Sequence, residues 1–199
     1  LEEMDMSRSA ISRGDLKYLM LEGLVVVFGV LAALVVDGWR EEAARRSAAE
    51  SAFRRVIAEV SLNLQELEDL SATVAERLER LRSLKTDAPP GVPLSELINR
   101  FTGYRTPDLR EAAWDRLSGS DLSDLVDQDL LNEAFYLYEW GRQFDGLDLE
   151  IYRLTYSELF YLPERRSTAI LISERIMEQQ LSWTRELIPV YRDFLSSTQ

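Results

Sequence analysis

The chain opens its pattern with an uninterrupted apolar run, YLMLEGLVVVFGVLAALVV, from Tyr18 to Val36, in which Glu22 alone carries charge. As a helix, about 19 residues rise roughly 28 Å, which matches the hydrocarbon core of a bilayer. Lys17 and Tyr18 flank one end and Trp39 and Arg40 the other. These are the residue types that anchor a span at the membrane–water interface. The pattern predicts an N-terminal tail over residues 1–16, a transmembrane helix over 17–39 and an extramembrane domain over 40–199. A buried helix of a soluble core is the competing reading, and the length and flanks favour the span. A cleaved signal peptide fits less well, because Val35, Val36, Asp37, Gly38 and Trp39 make a poor small-residue cleavage site. The chain starts at Leu1, which a trimmed N-terminus or a non-standard start codon would explain.

Beyond the run the period changes but helix formers continue: EEAARRSAAESAFRRVIAEV, with no Pro before Pro89 and Gly38 as the only Gly between the span and Pro89. The membrane helix is therefore expected to run on into the domain and stop before Pro89 and Pro90. Apolar residues recur at Phe53, Ile57, Val60, Leu64, Leu67, Val74, Leu78 and Leu81, in steps of four and three broken only at Ser71. That period belongs to a helix with one packed seam, read here as part of a monomeric bundle rather than a coiled-coil dimer. Asp87 to Pro93 reads as a turn, and Leu94 to Phe101 as a short helix capped by Ser95 or begun after Pro93. Thr106 and Pro107 read as the N-cap and first position of the next helix, with Leu109, Ala113, Trp114 and Leu117 inward and Ser118 to Ser120 ending it.

The acids of DLSDLVDQD, residues 121–129, invite a calcium reading, but their spacing lacks the central Gly and terminal Glu of a calcium loop. Asp127 as a helix cap is the better assignment. From Leu130 to Leu162 aromatics crowd the chain (Phe135, Tyr136, Tyr138, Trp140, Phe144, Tyr152, Tyr156, Phe160, Tyr161), with Gly141 and Gly146 as candidate breaks and Pro163 as the stop. Aromatics at helical spacing are expected in the core, with a partner surface as the sharper alternative. A last helix, Glu164 to Ser196, turns Ile170, Ile176, Leu181 and Leu187 inward, with Pro189 as a candidate kink. No segment alternates as a strand does, so the expected class is all-α.

Composition removes several kinds of chemistry. With neither Cys nor His there is no disulfide, no thiolate or imidazole metal ligand, no Cys nucleophile and no His general base. The formal charge of -12 opposes binding to nucleic acid or to anionic lipid headgroups. No phosphate-cradling Gly-rich loop or nucleophile elbow is present. The acids lie scattered beside Arg and Lys, the pattern of solvated helix faces, so a carboxylate enzyme is the weakest of the readings. The sequence expectation is no enzyme, no cofactor, no metal and no nucleic acid.

Two stretches resemble a broad family of uncharacterised bacterial single-span membrane proteins with an N-terminal anchor and a helical extramembrane domain. One is LKYLMLEGLVVVFGVLAALVVDGWREE, residues 16–42, an apolar helix opened by an acid beside Gly and closed by an acidic or amide residue and Trp, then Glu. The other is TPDLREAAWDRLSGSDLSDLVDQDLLNEAFYLYEW, residues 106–140, a Trp-bearing helix, a Ser-Gly turn, a Leu-rich stretch and an aromatic helix. Together they cover about a third of the chain. That family has no established activity, so no catalytic residue carries over. The resemblance implies an inner (cytoplasmic) membrane protein with a cytoplasmic tail and a periplasmic domain. Counting Lys and Arg alone, Arg8, Arg13 and Lys17 before the span against Arg40, Arg45, Arg46, Arg54 and Arg55 after it, points the other way.

The sequence thus expects a single-pass accessory subunit that packs against and stabilises a larger membrane complex, respiratory and photosynthetic complexes being candidates. Gly29 and Ala33, four residues apart, would admit a neighbouring helix, and Glu22 would make a polar contact or reach the interface. Lys17, Tyr18, Trp39 and Arg40 would be the interfacial anchors. The alternative is a membrane-anchored sensor whose helical domain binds a ligand or partner.

Overall fold

The computed structural model of the chain describes residues 13–98 and 103–198, and the side chains of residues 13–16, 18 and 19 lie outside that description. Among the described residues the structure is helix and turn with no strand. α1 runs Arg13–Asp87, 75 residues, and ends where Pro89 and Pro90 forbid continuation. Gly91, at φ 77°, supplies the left-handed residue of the turn that follows. The short α2, Leu94–Ile98, starts directly after Pro93. The expected extension of this helix to Phe101 falls partly on residues 99–102, outside the described residues.

The helix expected to start at Thr106 and Pro107 does not form there. Residues 103–111 are an irregular strap, and α3 is confined to Ala112–Ser118. Local capping chemistry at Thr106 loses to side chains of α1, which bond the strap's backbone directly. Gly119 ends α3 as expected. Asp127 caps α4, Gln128–Gly141, its carboxylate accepting from the amides of Asp129 at 2.9 Å and Leu130 at 3.2 Å. Gly141 is the last residue of α4, whereas Gly146 lies inside α5, Gln143–Thr155. The short α6, Glu158–Tyr161, and a 3₁₀ turn at Pro163–Arg165 lead into α7, Arg166–Ser197. α7 stays helical across Pro189.

Two units divide the chain, residues 1–47 and 48–199. The second begins where α1 first meets a core, at Ala49 and Phe53. Within it, α1 and α7 pack antiparallel. Arg82 and Lys85 of α1 bond Glu174 at 2.9 and 2.5 Å, Glu68 pairs with Arg192 at 2.5 Å, and Phe53 meets Phe194 edge-on at 6.4 Å. Lys85 and Arg82 together hold the Glu174 carboxyl below its ordinary range. The seam of α1 is Phe53, Val56, Val60, Leu67, Leu70, Val74, Leu78, Leu81 and Leu84, all buried by the chain's own elements. The expected seam had the right period. Ile57 and Leu64 are only partly buried, and the gap at Ser71 closes because Leu70 takes the inward position. Ile170, Ile176, Leu181 and Leu187 point inward on α7 as expected.

Leu70→Ala should cost about 2–5 kcal/mol through lost burial and a residual cavity, whereas Ser71→Ala should be nearly neutral. Urea unfolding followed by Trp fluorescence checks the contrast.

Candidate functional site

In the first unit, every residue from Met20 to Glu41 is exposed. Twelve large apolar side chains between Met20 and Val36 are uncovered, from 51% exposed at Val36 to 71% at Met20. A Cβ added at Gly29 would meet nothing within 4 Å. At about 100° per residue, Glu22, Gly29 and Ala33 share a stripe roughly 40° wide. Lys17 and Trp39 are exposed, Trp39 to 74%, and so is Arg40. The expected anchor Tyr18 has its side chain outside the described residues. Among the described residues one helix, near the N-terminus, is thus long and apolar enough to cross a membrane, and none of its apolar window is covered by them.

The second unit contains a polar ladder absent from the sequence expectations. Glu59, Asn63 and Glu66 lie at helical spacing on α1, on the side that faces the strap and α3. Glu59 is 8% exposed, yet its carboxylate is fully engaged. It accepts from the amides of Ala113 at 2.9 Å and Trp114 at 3.2 Å and from the hydroxyl of Tyr138 at 2.8 Å. Glu59 is therefore a long-range cap for α3, meeting amide donors that a helix start leaves unpaired. Asn63 reads the strap in both directions: its amide donates to the Arg110 carbonyl and its oxygen accepts from the Arg110 amide, each at 2.8 Å. Glu66 takes the guanidinium of Arg105 through both oxygens, at 2.9 and 3.0 Å. From α7, Gln180 donates to the Arg105 carbonyl at 3.0 Å. Gly141 lets the strap approach α4, since a Cβ there would stand 3.2 Å from Leu109 Cδ1.

The aromatic groups follow from this frame. Trp114 stacks on Tyr138, ring centres 5.1 Å apart and planes 10° from parallel. Burial, then the bond to Glu59 and its charge, raise the Tyr138 hydroxyl pKa well above the ordinary tyrosine value. Tyr104 of the strap meets the hydroxyl of Ser173, and burial pushes its pKa up to about 12. The expectation of a largely aromatic core holds for Tyr138, Phe144 and Phe160 only. Phe135, Tyr136, Trp140, Tyr152, Tyr156 and Tyr161 are exposed instead. A cavity of about 340 Å³ opens beside Glu59 between α1 and α3, lined by Ala52, Ala113 and Leu117 with Arg55 and Arg116. Among the described residues no group of three or more carboxylates is placed to hold a metal ion.

The sequence did carry a signal for the ladder. Glu59 and Asn63 interrupt the solvent pattern by sitting beside seam residues Val56, Val60 and Leu67. A seam read only from its apolar members passes over them.

Glu59→Gln turns an amide donor toward groups that are themselves donors. It should cost roughly 2–3 kcal/mol and shift the urea midpoint accordingly, with Asn63→Ala somewhat less damaging. Tyr104 also makes stability fall in alkali. Its unfolded pKa is near 10 and its folded value about 12, so the unfolded state loses the proton first. Stability should be intact below about pH 10 and decline as pH rises towards 12. Tyr104→Phe should flatten part of that decline in a series of urea titrations.

Compared with known proteins, the chain matches no family model, and no curated protein and no solved structure is significantly similar to it. The family resemblance of residues 16–42 and 106–140 gains no support from these comparisons.

Proposed function

We propose that this protein is a non-catalytic accessory subunit, anchored by residues 17–39 as a single-pass helix in a bacterial cytoplasmic membrane and packed against a larger membrane complex. The carrying observation is the uncovered apolar length of α1 from Met20 to Val36. Each such side chain is worth roughly 1.5–3 kcal/mol when removed from water, so twelve of them demand a non-aqueous environment that the chain does not provide. A bilayer supplies it along the whole circumference. The Glu22, Gly29 and Ala33 stripe is where another helix would come closest, since small residues permit backbone approach and a carboxylate near the interface seeks a polar partner.

What the domain does with its polar groups supports the same reading. Glu59, Asn63 and Glu66, inward-facing groups that catalysis could use, are spent on the strap and on α3. The two signals for orientation disagree: the family resemblance favours a periplasmic domain, the Lys and Arg count a cytoplasmic one. We take the periplasmic side. The alternative function, a membrane-anchored sensor, rests on the cavity beside Glu59, which is large enough for a small ligand and carries Arg55 and Arg116 at its wall.

A pull-down from native membranes in mild detergent, followed by mass spectrometry, separates the two. A stoichiometric set of large membrane subunits is the expected result. The protein running alone and monodisperse would remove the accessory reading and leave the sensor.

A further inference from the structure

The exposed aromatics of α4 do not stand singly. Tyr136 and Trp140 face Leu187 and Val190 of α7 across an apolar groove of about 250 Å³, floored by Leu137. It continues along α7 past Phe194 into a second hollow of about 410 Å³. Tyr136 is 63% exposed and Val190 50%. The walls carry Glu133, Glu186 and Asp193 and no Lys or Arg. None of these three acids forms an ion pair with a described residue; Glu186 accepts from Ser182 at 3.2 Å and Glu133 from Ser197 at 3.5 Å. The other two acids of α7, Glu174 and Glu178, are both paired with Arg82 of α1, and Glu174 with Lys85 as well. An apolar trough with unmatched charge of one sign is complementary to a segment that is apolar on one face and cationic at its margins.

We propose that this groove between α4 and α7 docks a basic amphipathic helical segment of a partner protein. The inference rests on the accessory-subunit reading and names the chemistry of the partner at the domain. At 1.5 Å per residue, the α7 wall from Glu186 to Ser197 extends roughly 16 Å, enough to seat about three turns presenting apolar anchors at i, i+3 or i+4, and i+7. Tyr136 and Trp140 supply contact area and π faces for Lys or Arg. Charge argues against the other occupants. A second copy laid face to face would set Glu133, Glu186 and Asp193 against themselves. An anionic lipid surface meets the same repulsion. The chain's own first residues, with Glu2, Glu3 and Asp5, carry the wrong sign for it.

The test places a photo-crosslinking amino acid at position 190 in the full-length protein and irradiates native membranes. The expected product is a crosslink to a partner segment with apolar residues at helical spacing flanked by Lys or Arg. Its yield should drop roughly tenfold in the triple reversal Glu133→Lys, Glu186→Lys, Asp193→Lys and partially recover in Glu133→Gln, Glu186→Gln, Asp193→Gln. Unfolding midpoints show whether the variants remain folded, and the neutral triple keeps the comparison usable if the reversal does not. A crosslink to a second copy, to lipid, to an acidic segment, or to a segment indifferent to the reversal overturns the groove. So does no crosslink while the pull-down still returns a stoichiometric complex, and the accessory reading then survives alone. An empty pull-down removes both.

Discussion

Residues 103–111 have no hydrogen-bonding ladder of their own, yet most of the strap is only partly open to water, so its backbone groups need partners from elsewhere. α1 supplies them. Asn63 bonds both backbone groups of Arg110, Glu66 holds the Arg105 side chain, and Glu59 takes the first amides of α3. Gln180 closes the strap from α7. A side-chain amide that donates and accepts at one residue admits only one register, and a slip by one position would orphan several buried groups at once. The register of the strap then sets where α3 starts, where Trp114 lies and hence what Tyr138 stacks upon. The apolar seam of α1 provides most of the burial, and the ladder decides which arrangement of the middle of the chain goes with it.

The same helix carries two kinds of surface. From Phe53 onward its apolar residues form a stripe, the requirement for a helix half in a core and half in water. From Met20 to Val36 they cover the helix all round, the requirement for a helix surrounded by apolar medium. The charge of the chain follows the same division, since the run from Tyr18 to Val36 carries Glu22 alone. Exposed aromatics on α4 and α5 complete the picture of a domain whose core is settled and whose outer face still offers contacts.

Much of the fold was legible because its signals are local. The Pro89-Pro90 stop, the Asp127 cap and the α7 face through Ile170, Ile176, Leu181 and Leu187 each need only a few neighbouring residues to be read. The start of α3 was misread for the opposite reason. Thr106 and Pro107 make a sound local helix start, but Glu59 and Asn63, some fifty positions earlier, compete for the same backbone and win. The aromatic stretch misled in part because composition gives the spacing of rings and not the side they face. Leu137 and Tyr138 turn inward on α4 while Tyr136 and Trp140 turn outward, a division fixed only once α7 and the strap have taken their places. For the apolar run, helical geometry adds to the sequence pattern that Glu22 shares the stripe of Gly29 and Ala33.

The claim beneath the rest is that a bilayer covers the apolar part of α1. The chain has no cysteine, so any single one introduced reports without background. Phe28→Cys and Arg54→Cys, in open membrane fragments, would be timed for reaction with a water-soluble maleimide. The account predicts that position 54 reacts readily, while position 28 stays protected until the membrane is dissolved and the protein denatured. Equal labelling of the two positions in intact membranes would contradict it.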